Sequence, residues 1–292
     1  MSVLLLGSTS MIGHQMMSHF DEVGIEVTGT TRREDSTDSK TVKFNVIEDS
    51  IATLLDAFPT TTVIVNNIGV IKSNIVDGDS ESEINAIRVN SLFPHELVAT
   101  ASERGIQVVQ IATDCVYSGQ LGEYNESSKH DAWDVYGKTK SLGEVNAPNM
   151  TLLRCSVIGR EQGRSSNLIE WVLSQPENAQ LSGYTNHLWN GLSTLAFSQI
   201  CAGIIKNKNF VPGVHHVVPT EVVSKQQLVE GIARAFGRED ISVSPVETPI
   251  SVDRTLSTED KNYNSALWNQ AGYSEIPSVT QLLKEYAQSL NS

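Results

Sequence analysis

Tyr136 and Lys140 stand four residues apart, and an apolar run upstream of them ends in Thr113. Four residues is about one turn of α-helix, so the phenol and the ammonium share a face. An ammonium beside a phenol favours the phenolate, and it is expected to draw the tyrosine pKa down from its usual value near 10. A threonine hydroxyl at a neighbouring strand end adds a second hydrogen bond to the same reacting oxygen. Such a set suits the reduction of a carbonyl, or its reverse. The plain structural alternative is a half-buried aromatic, a solvated lysine and a strand-end threonine. The residues upstream argue against it.

Val3–Leu6 runs directly into Gly7-Ser8-Thr9-Ser10-Met11-Ile12-Gly13, which opens a helix. Glycines at such a turn let the backbone approach a pyrophosphate, and the helix start supplies N–H donors and a positive dipole end. Gly7, Ser10, Met11, Ile12 and Gly13 are therefore the expected cofactor contacts. Ser10 stands where the middle glycine of the fingerprint falls, so its side chain either crowds the phosphates or donates a hydroxyl to them. After strand two the chain reads Thr30-Thr31-Arg32-Arg33, with no carboxylate before Glu34. An NAD site normally places an acid there for the ribose 2′-hydroxyl. A guanidinium instead suits a 2′-phosphate, so Arg32 and Arg33 favour NADPH, with NADH possible. Asn67 and Gly69 are expected to line the nicotinamide ribose, and Asn45, after Phe44, to meet the adenine.

Composition bounds the rest. A chain of 292 residues, 39% hydrophobic and 19% charged, has room for about two domains or one large domain with a lobe. Its formal net charge of −13 argues against nucleic acid or an anionic membrane surface as a partner. Cys115, Cys155 and Cys201 have neither disulfide-framework nor metal-ligand spacing, and the latter two sit among apolar residues as expected buried thiols. Val3–Leu6 is too short and lacks the basic flank for a signal peptide, and no apolar run is long enough to span a bilayer. A reducing cytoplasm is the expected compartment. A homodimer is a possible assembly on which the sequence is silent.

The elements that must position these residues alternate. Val3–Leu6, Ile25–Thr28, Val63–Val65, Gln107–Ile111 and Thr151–Arg154 read as strands apolar on both faces, as in a covered parallel sheet. Met11–Val23, Ile51–Phe58, Glu83–Arg104 and Val135–Glu144 carry helical spacing between them. The pattern predicts an α/β fold, a doubly wound parallel (Rossmann) sheet over residues 1–155. Residues 156–184 and 211–292 are expected to form a smaller C-terminal substrate-binding lobe, with 185–210 returning to the sheet. In that half, Asn167–Ser174, Leu192–Lys206, Ser224–Phe236 and Ser278–Ser289 read as helices. Gln180–Leu181 and Val214–Val218 read as strands, and Ser224 with Gln227 as a capping box.

Taken together, Gly7–Gly13, Ala112-Thr113-Asp114-Cys115-Val116-Tyr117, Tyr136-Gly137-Lys138-Thr139-Lys140 and Leu153-Arg154-Cys155-Ser156 resemble the extended short-chain dehydrogenases/reductases. Within them the chain looks most like the dTDP-4-dehydrorhamnose reductase group. The likeness continues through Gly213-Val214-His215-His216-Val217 and Asp253-Arg254-Thr255-Leu256. It implies Tyr136 as general acid, Lys140 tuning it and holding the nicotinamide ribose, and Thr113 bonding the carbonyl oxygen. It also implies a nucleotide-linked 4-keto-6-deoxy sugar as substrate, with Asp114 and Asn190 in its pocket and Arg254 near its diphosphate. Arg160 and Arg164 are further candidates, equally readable as a surface loop. Related dehydratases carry a glutamate where this chain has Cys115, and a neutral thiol is a poor base, so reduction is favoured. Val157 replaces a tryptophan of the reductases, which leaves the sugar unidentified. His215 and His216 alternate along a strand and point apart, so no metal site is expected there. Two rivals stand beside the reductase: a regulatory subunit that binds NADP without turnover, and a nucleotide-sugar epimerase holding NAD tightly.

Overall fold

Val3 and Leu5 point into one layer of the protein, Leu4 and Leu6 into the other, and none of the four is more than 1% exposed. A strand buried on both faces must lie inside a sheet covered on both sides. The computed structural model, which describes residues 1–33, 38–161 and 167–290, builds that sheet from alternating strands and helices. In chain order these are β1 (Ser2–Leu6), α1 (Met11–Glu22), β2 (Glu26–Thr31), β3 (Thr41–Lys43), α2 (Ile51–Ala57) and β4 (Thr61–Asn66). Then come α3 (Ser80–Ala86), α4 (Phe93–Glu103), β5 (Gln107–Thr113), α5 (Val135–Leu142) and β6 (Met150–Cys155).

The second half contributes β7 (Val157–Ile158), α6 (Leu168–Leu173), β8 (Gln180–Tyr184), β9 (His187–Trp189), β10 (Leu192–Ser193), α7 (Thr194–Asn207) and β11 (Gly213–His216). It ends with β12 (Val223–Ser224), α8 (Lys225–Ala235), β13 (Ser242–Val246), β14 (Val252–Asp253), α9 (Lys261–Gln270) and α10 (Val279–Ser289). The sheet order is β11-β6-β5-β4-β1-β2-β3, and every neighbouring pair is parallel. Strand order reverses between β1 and β4, and ligands of open α/β sheets bind at the carboxyl ends beside such a switch point. One face is covered by α1, α7 and α9 through Met16, Phe20, Phe197, Leu267 and Trp268. The other is covered by α2 and α4 through Leu54, Leu55, Phe93, Leu97 and Val98. A separate core holds the lobe together, from Ile169 and Val172 of α6, Leu228 and Ile232 of α8, and Leu283 and Tyr286 of α10.

Several sequence readings change. Gly213–His216, assigned to the lobe, is the seventh sheet strand, paired with β6. Lys261–Gln270, absent from the helices read in the sequence, is α9; its few apolar residues, Leu267 and Trp268 above all, sit in the core under the sheet, and Asp260 caps its start. The helix expected over Glu83–Arg104 is α3, a π-helical segment at Ile87–Leu92, and α4. Pro94 has no N–H for the carbonyl four residues back, that of Asn90, so an α-helical ladder cannot run through this point. Gly143 packs against that carbonyl, and any β-carbon there would overlap it.

Candidate active site at the carboxyl ends of the strands

The turn after β1 has the geometry its glycines were expected to allow. Gly7 adopts φ +79°, and its N–H donates to Thr30 Oγ1 at 3.0 Å. A β-carbon on Gly13 would run into the Gly7 carbonyl, so helix and turn can approach only without one. The Ser10 hydroxyl has a structural partner and keeps its O–H as a donor. Its Oγ caps α1 by accepting from the Gly13 N–H at 3.0 Å. The N–H groups of Met11 and Ile12, in the first turn, have no intrahelical acceptor and can meet an anion.

Arg32 and Arg33 are exposed just beyond β2, where Thr31 Oγ1 accepts the Arg33 N–H at 3.2 Å. Glu34 lies outside the described residues, as does Arg164. The Asn45 amide oxygen accepts the Ile47 N–H at 3.1 Å, and this shapes the turn after Phe44 before any ligand is considered. Asn67 is turned inward: its amide nitrogen meets the Met16 sulfur at 3.2 Å and its amide oxygen is buried. The side chain expected to line a ribose therefore packs on α1. Gly69 keeps a bare, exposed backbone, and a β-carbon there would stand 3.9 Å from Lys140 Nζ. This strip from Gly7 to Gly69, with exposed guanidinium groups beyond β2, fits a dinucleotide in shape and charge.

Thr113 ends β5, and its hydroxyl acts on the Tyr136 phenol of α5, favouring the ionised form against the effect of burial. Thr113 Oγ1 also accepts the Cys115 N–H and donates to Asp114 Oδ1, both at 3.2 Å. Asp134 caps α5 by accepting from Gly137 N at 2.7 Å and pairs with Lys72 at 2.6 Å, which fixes the helix two residues before the phenol. Tyr136 and Lys140 are both half-buried. The expected direction of the tyrosine pKa is overturned. Burial pushes the phenol well above its usual value, with Cys115, Asp114 and Asp134 adding to the rise and Thr113 opposing it. Burial also lowers Lys140, against the pull of Glu144. Desolvation of the phenolate is the dominant cause. Burial, then Asp114, pushes the Cys115 thiol up to about 12, so this position carries a neutral thiol.

Asp114 is buried, and desolvation raises its carboxyl above the usual range, opposed first by Arg254. Arg254 is held by its Nε donating to the Tyr117 carbonyl at 2.8 Å. Asn190 is not free for a ligand. Its amide donates to the Leu256 carbonyl at 2.7 Å and accepts the Leu256 N–H at 3.0 Å, pinning the segment that carries Arg254. Arg160 is taken up by Glu170, 2.7 Å away. Val157 and Ile158 pair with Leu192 and Ser193.

Behind the site Arg154 is 1% exposed and draws four side chains together. It forms a two-pronged pair with Glu144, donates to Tyr117 Oη at 2.7 Å, and meets His216 Nε2 at 2.7 Å and His130 Nε2 at 2.9 Å. His216 Nδ1 faces the Ser257 carbonyl at 2.7 Å, so that nitrogen carries the proton and Nε2 accepts from the guanidinium. His215 points the other way, onto the Tyr263 ring. Cys155 and Cys201 are buried in the sheet core.

Two residues of this neighbourhood escaped the sequence reading. Asn90, in the π-helical segment, grips both the N–H and the carbonyl of Val70, at 2.8 and 3.0 Å, and reaches Thr139 Oγ1 at 3.2 Å. It locks the Gly69 strip to α5; its signal was an amide on the buried side of an amphipathic helix. Lys225 opens α8 and senses Asp114, Cys115 and Arg254 across the cleft. Nothing local in the sequence marked it.

A family model described as the RmlD substrate binding domain matches residues 1–291. The dTDP-4-keto-6-deoxy-D-glucose reductase of Streptomyces niveus is 22% identical over 298 aligned positions, 99% of this chain and 97% of that protein. A crystal structure of a dTDP-4-dehydrorhamnose reductase from Clostridium acetobutylicum superposes with TM-score 0.76 at 23% identity, covering 100% of both chains. One from Bacillus anthracis, in complex with NADP, superposes with TM-score 0.75 at 17% identity, covering 99% of both.

Proposed function

This chain belongs to the family of the RmlD substrate binding domain, and from that premise we propose that it reduces a nucleotide-linked 4-keto-6-deoxy sugar with NADPH. The observation that carries the reading is the meeting of Thr113, at the end of β5, with Tyr136 on α5, one helical turn from an ammonium lying against the bare Gly69 backbone. NADPH supplies the hydride when bound. Thr113 and Tyr136 hold the carbonyl oxygen between two hydroxyls and so orient the reacting carbon. Tyr136, kept protonated by burial, gives its proton to that oxygen as negative charge develops on it. Lys140 balances the phenolate left behind. Cys115, as a neutral thiol, cannot take a proton from the sugar carbon, which favours reduction over dehydration. Arg254 is the expected partner of the substrate's diphosphate, with Asp114 in the sugar pocket, and Asn190 positions the Arg254 segment. Arg32 and Arg33 favour the 2′-phosphate of NADPH. The named activity of the Streptomyces relative and the NADP in the Bacillus anthracis structure support the same reading.

The test is loss of reduced-nicotinamide absorbance when the protein meets NADPH and a panel of nucleotide-linked keto-sugars. Turnover is expected, and Tyr136→Phe should reduce it roughly 10²–10⁴-fold while NADPH still binds. NADPH binding without oxidation by any member of the panel would sink the reductase and leave a cofactor-binding regulatory subunit.

A further inference from the structure

α5 carries Tyr136 and Lys140 on only eight residues, Val135–Leu142. A helix that short does not hold its shape alone in water, so its place depends on what fastens it. Asp134 ties its start, through Lys72 and the Gly137 N–H, and Ser91 ties its middle by donating to the Thr139 carbonyl at 2.8 Å. His95 of α4 meets the Leu142 carbonyl at 3.0 Å and can donate to it whether neutral or charged. The turn after Lys140 has a different fastening. Ser141 Oγ lies 2.6 Å from Nδ1 of His130, and Nε2 of the same ring lies 2.9 Å from the Arg154 guanidinium. One imidazole therefore bridges α5 and the buried hub behind it.

The protonation state of that bridge follows from counting donors. A guanidinium has five N–H donors. Those of Arg154 meet five acceptors: both oxygens of Glu144, Tyr117 Oη, His216 Nε2 and His130 Nε2. Nε2 of His130 is thus a bare lone pair, and Nδ1 carries the proton given to Ser141. A second proton has no place, because Nε2–H would face an N–H of a fixed cation. Glu144 Oε2, 3.6 Å from Nε2, is already paired with Arg154. Asp131, next in the chain, is engaged by Ser118, and Tyr117, edge-on at 5.5 Å, stays a phenol. His216 lies across the guanidinium and is 1% exposed, whereas the His130 side chain is 26% exposed and takes a proton from solvent directly.

We infer that His130 is a positioning residue for the reduction: as a neutral imidazole it fastens the turn of α5 after Lys140 to Arg154, and its protonation unfastens that turn and lowers kcat. This rests on the reductase reading above. Burial lowers the His130 pKa from 6.5, with Arg154 adding and Glu144 and Asp131 opposing, so the loss of activity lies on the acid side of that value.

The pH profile of kcat, measured beside amide hydrogen exchange in α5, tests this on the wild type, His130→Gln and His130→Phe. Glutamine keeps an acceptor for Arg154 and cannot be protonated, whereas phenylalanine fills the space without an acceptor. Wild-type kcat should fall below pH 6.5, by about tenfold for each unit beyond the folded pKa, with KM for the sugar nucleotide little changed. His130→Phe should lower kcat about tenfold already at neutral pH, because a buried N–H loses its partner. His130→Gln should restore most of that loss and lack the acid limb. At about pH 5 the α5 amides of the wild type should exchange several times faster than those of His130→Gln, a comparison at one pH in which intrinsic rates cancel. An acid limb that survives in His130→Gln belongs to another group, such as the buried Asp114, and overturns the inference. Equal α5 exchange in the two proteins at that pH overturns it as well. Absence of turnover at every pH, with α5 exchange still separating the two proteins, sinks the reductase reading and leaves the fastening in place.

Discussion

The Asn190 amide grips both peptide groups of Leu256, donating to its carbonyl at 2.7 Å and accepting from its N–H at 3.0 Å. Leu256 lies two residues beyond Arg254, whose own Nε is tied to the Tyr117 carbonyl. Arg254 is thus fixed at its guanidinium by the Tyr117 carbonyl and in its chain segment by the Asn190 amide. Asn190→Ala leaves two buried peptide groups unpaired and should cost about 2–4 kcal/mol of stability. If Asn190 positions Arg254, KM for the sugar nucleotide should rise more than kcat falls, with NADPH affinity unchanged. A variant with normal stability and a normal KM would refute that role.

Thr113 and Tyr136 predict a particular pH profile. A phenol raised well above its usual pKa stays protonated through neutral and moderately basic pH. Reduction should therefore show no basic limb from this group below about pH 10 in the free enzyme. Thr113→Val removes one of the two hydroxyls on the reacting oxygen and should lower kcat/KM roughly tenfold to a hundredfold. A phenolic limb near pH 7 in kcat/KM would contradict the observed burial.

Cys115, with its thiol near 12, should be inert. Only about one thiol in ten thousand is ionised at pH 8 at such a value, so iodoacetamide should modify it far more slowly than a free cysteine. Cys115→Ser should retain most of the reductase activity. Rapid alkylation of this residue in the folded protein would count against the structure around it.

His216 links stability to acid. Burial, then Arg154, lowers its pKa from 6.5 to about 4, so the folded state holds it neutral while the unfolded chain takes up the proton first. Its stabilising contribution is complete above pH 6.5 and is lost as pH falls towards the folded value near 4. The loss should be on the order of 2–3 kcal/mol across that window. Urea midpoints measured from pH 7 to 4.5 should fall, and His216→Gln, which cannot take up the proton, should flatten part of the slope. A midpoint independent of pH would exclude the coupling.

Arg32 stands exposed at the end of β2, where a 2′-phosphate would lie. Arg32→Ala should raise KM for NADPH roughly tenfold and change that for NADH little, since a guanidinium pairs with the phosphate and not with a hydroxyl. Equal effects on the two cofactors would defeat the NADPH assignment.

Periodicity by itself determined the parallel sheet, its alternation with helices, the strand ends at Gly7 and Thr113 and the helix that carries Tyr136 and Lys140. Strands apolar on both faces and helices with one apolar stripe have few other ways to bury their surface. Local chemistry was equally legible where it stayed local, as in the capping box at Ser224 and Gln227. What the sequence could not decide were relations between distant residues. Asn190 and Leu256 are 66 positions apart, Arg154 and His216 are 62 apart, and the Lys225 ammonium lies over the ring of the distant Trp189. The direction of the Tyr136 pKa was misjudged for the same reason: spacing on a helix shows a neighbouring charge, but desolvation is set by everything that packs around the phenol. Only the tertiary structure brings those surroundings together.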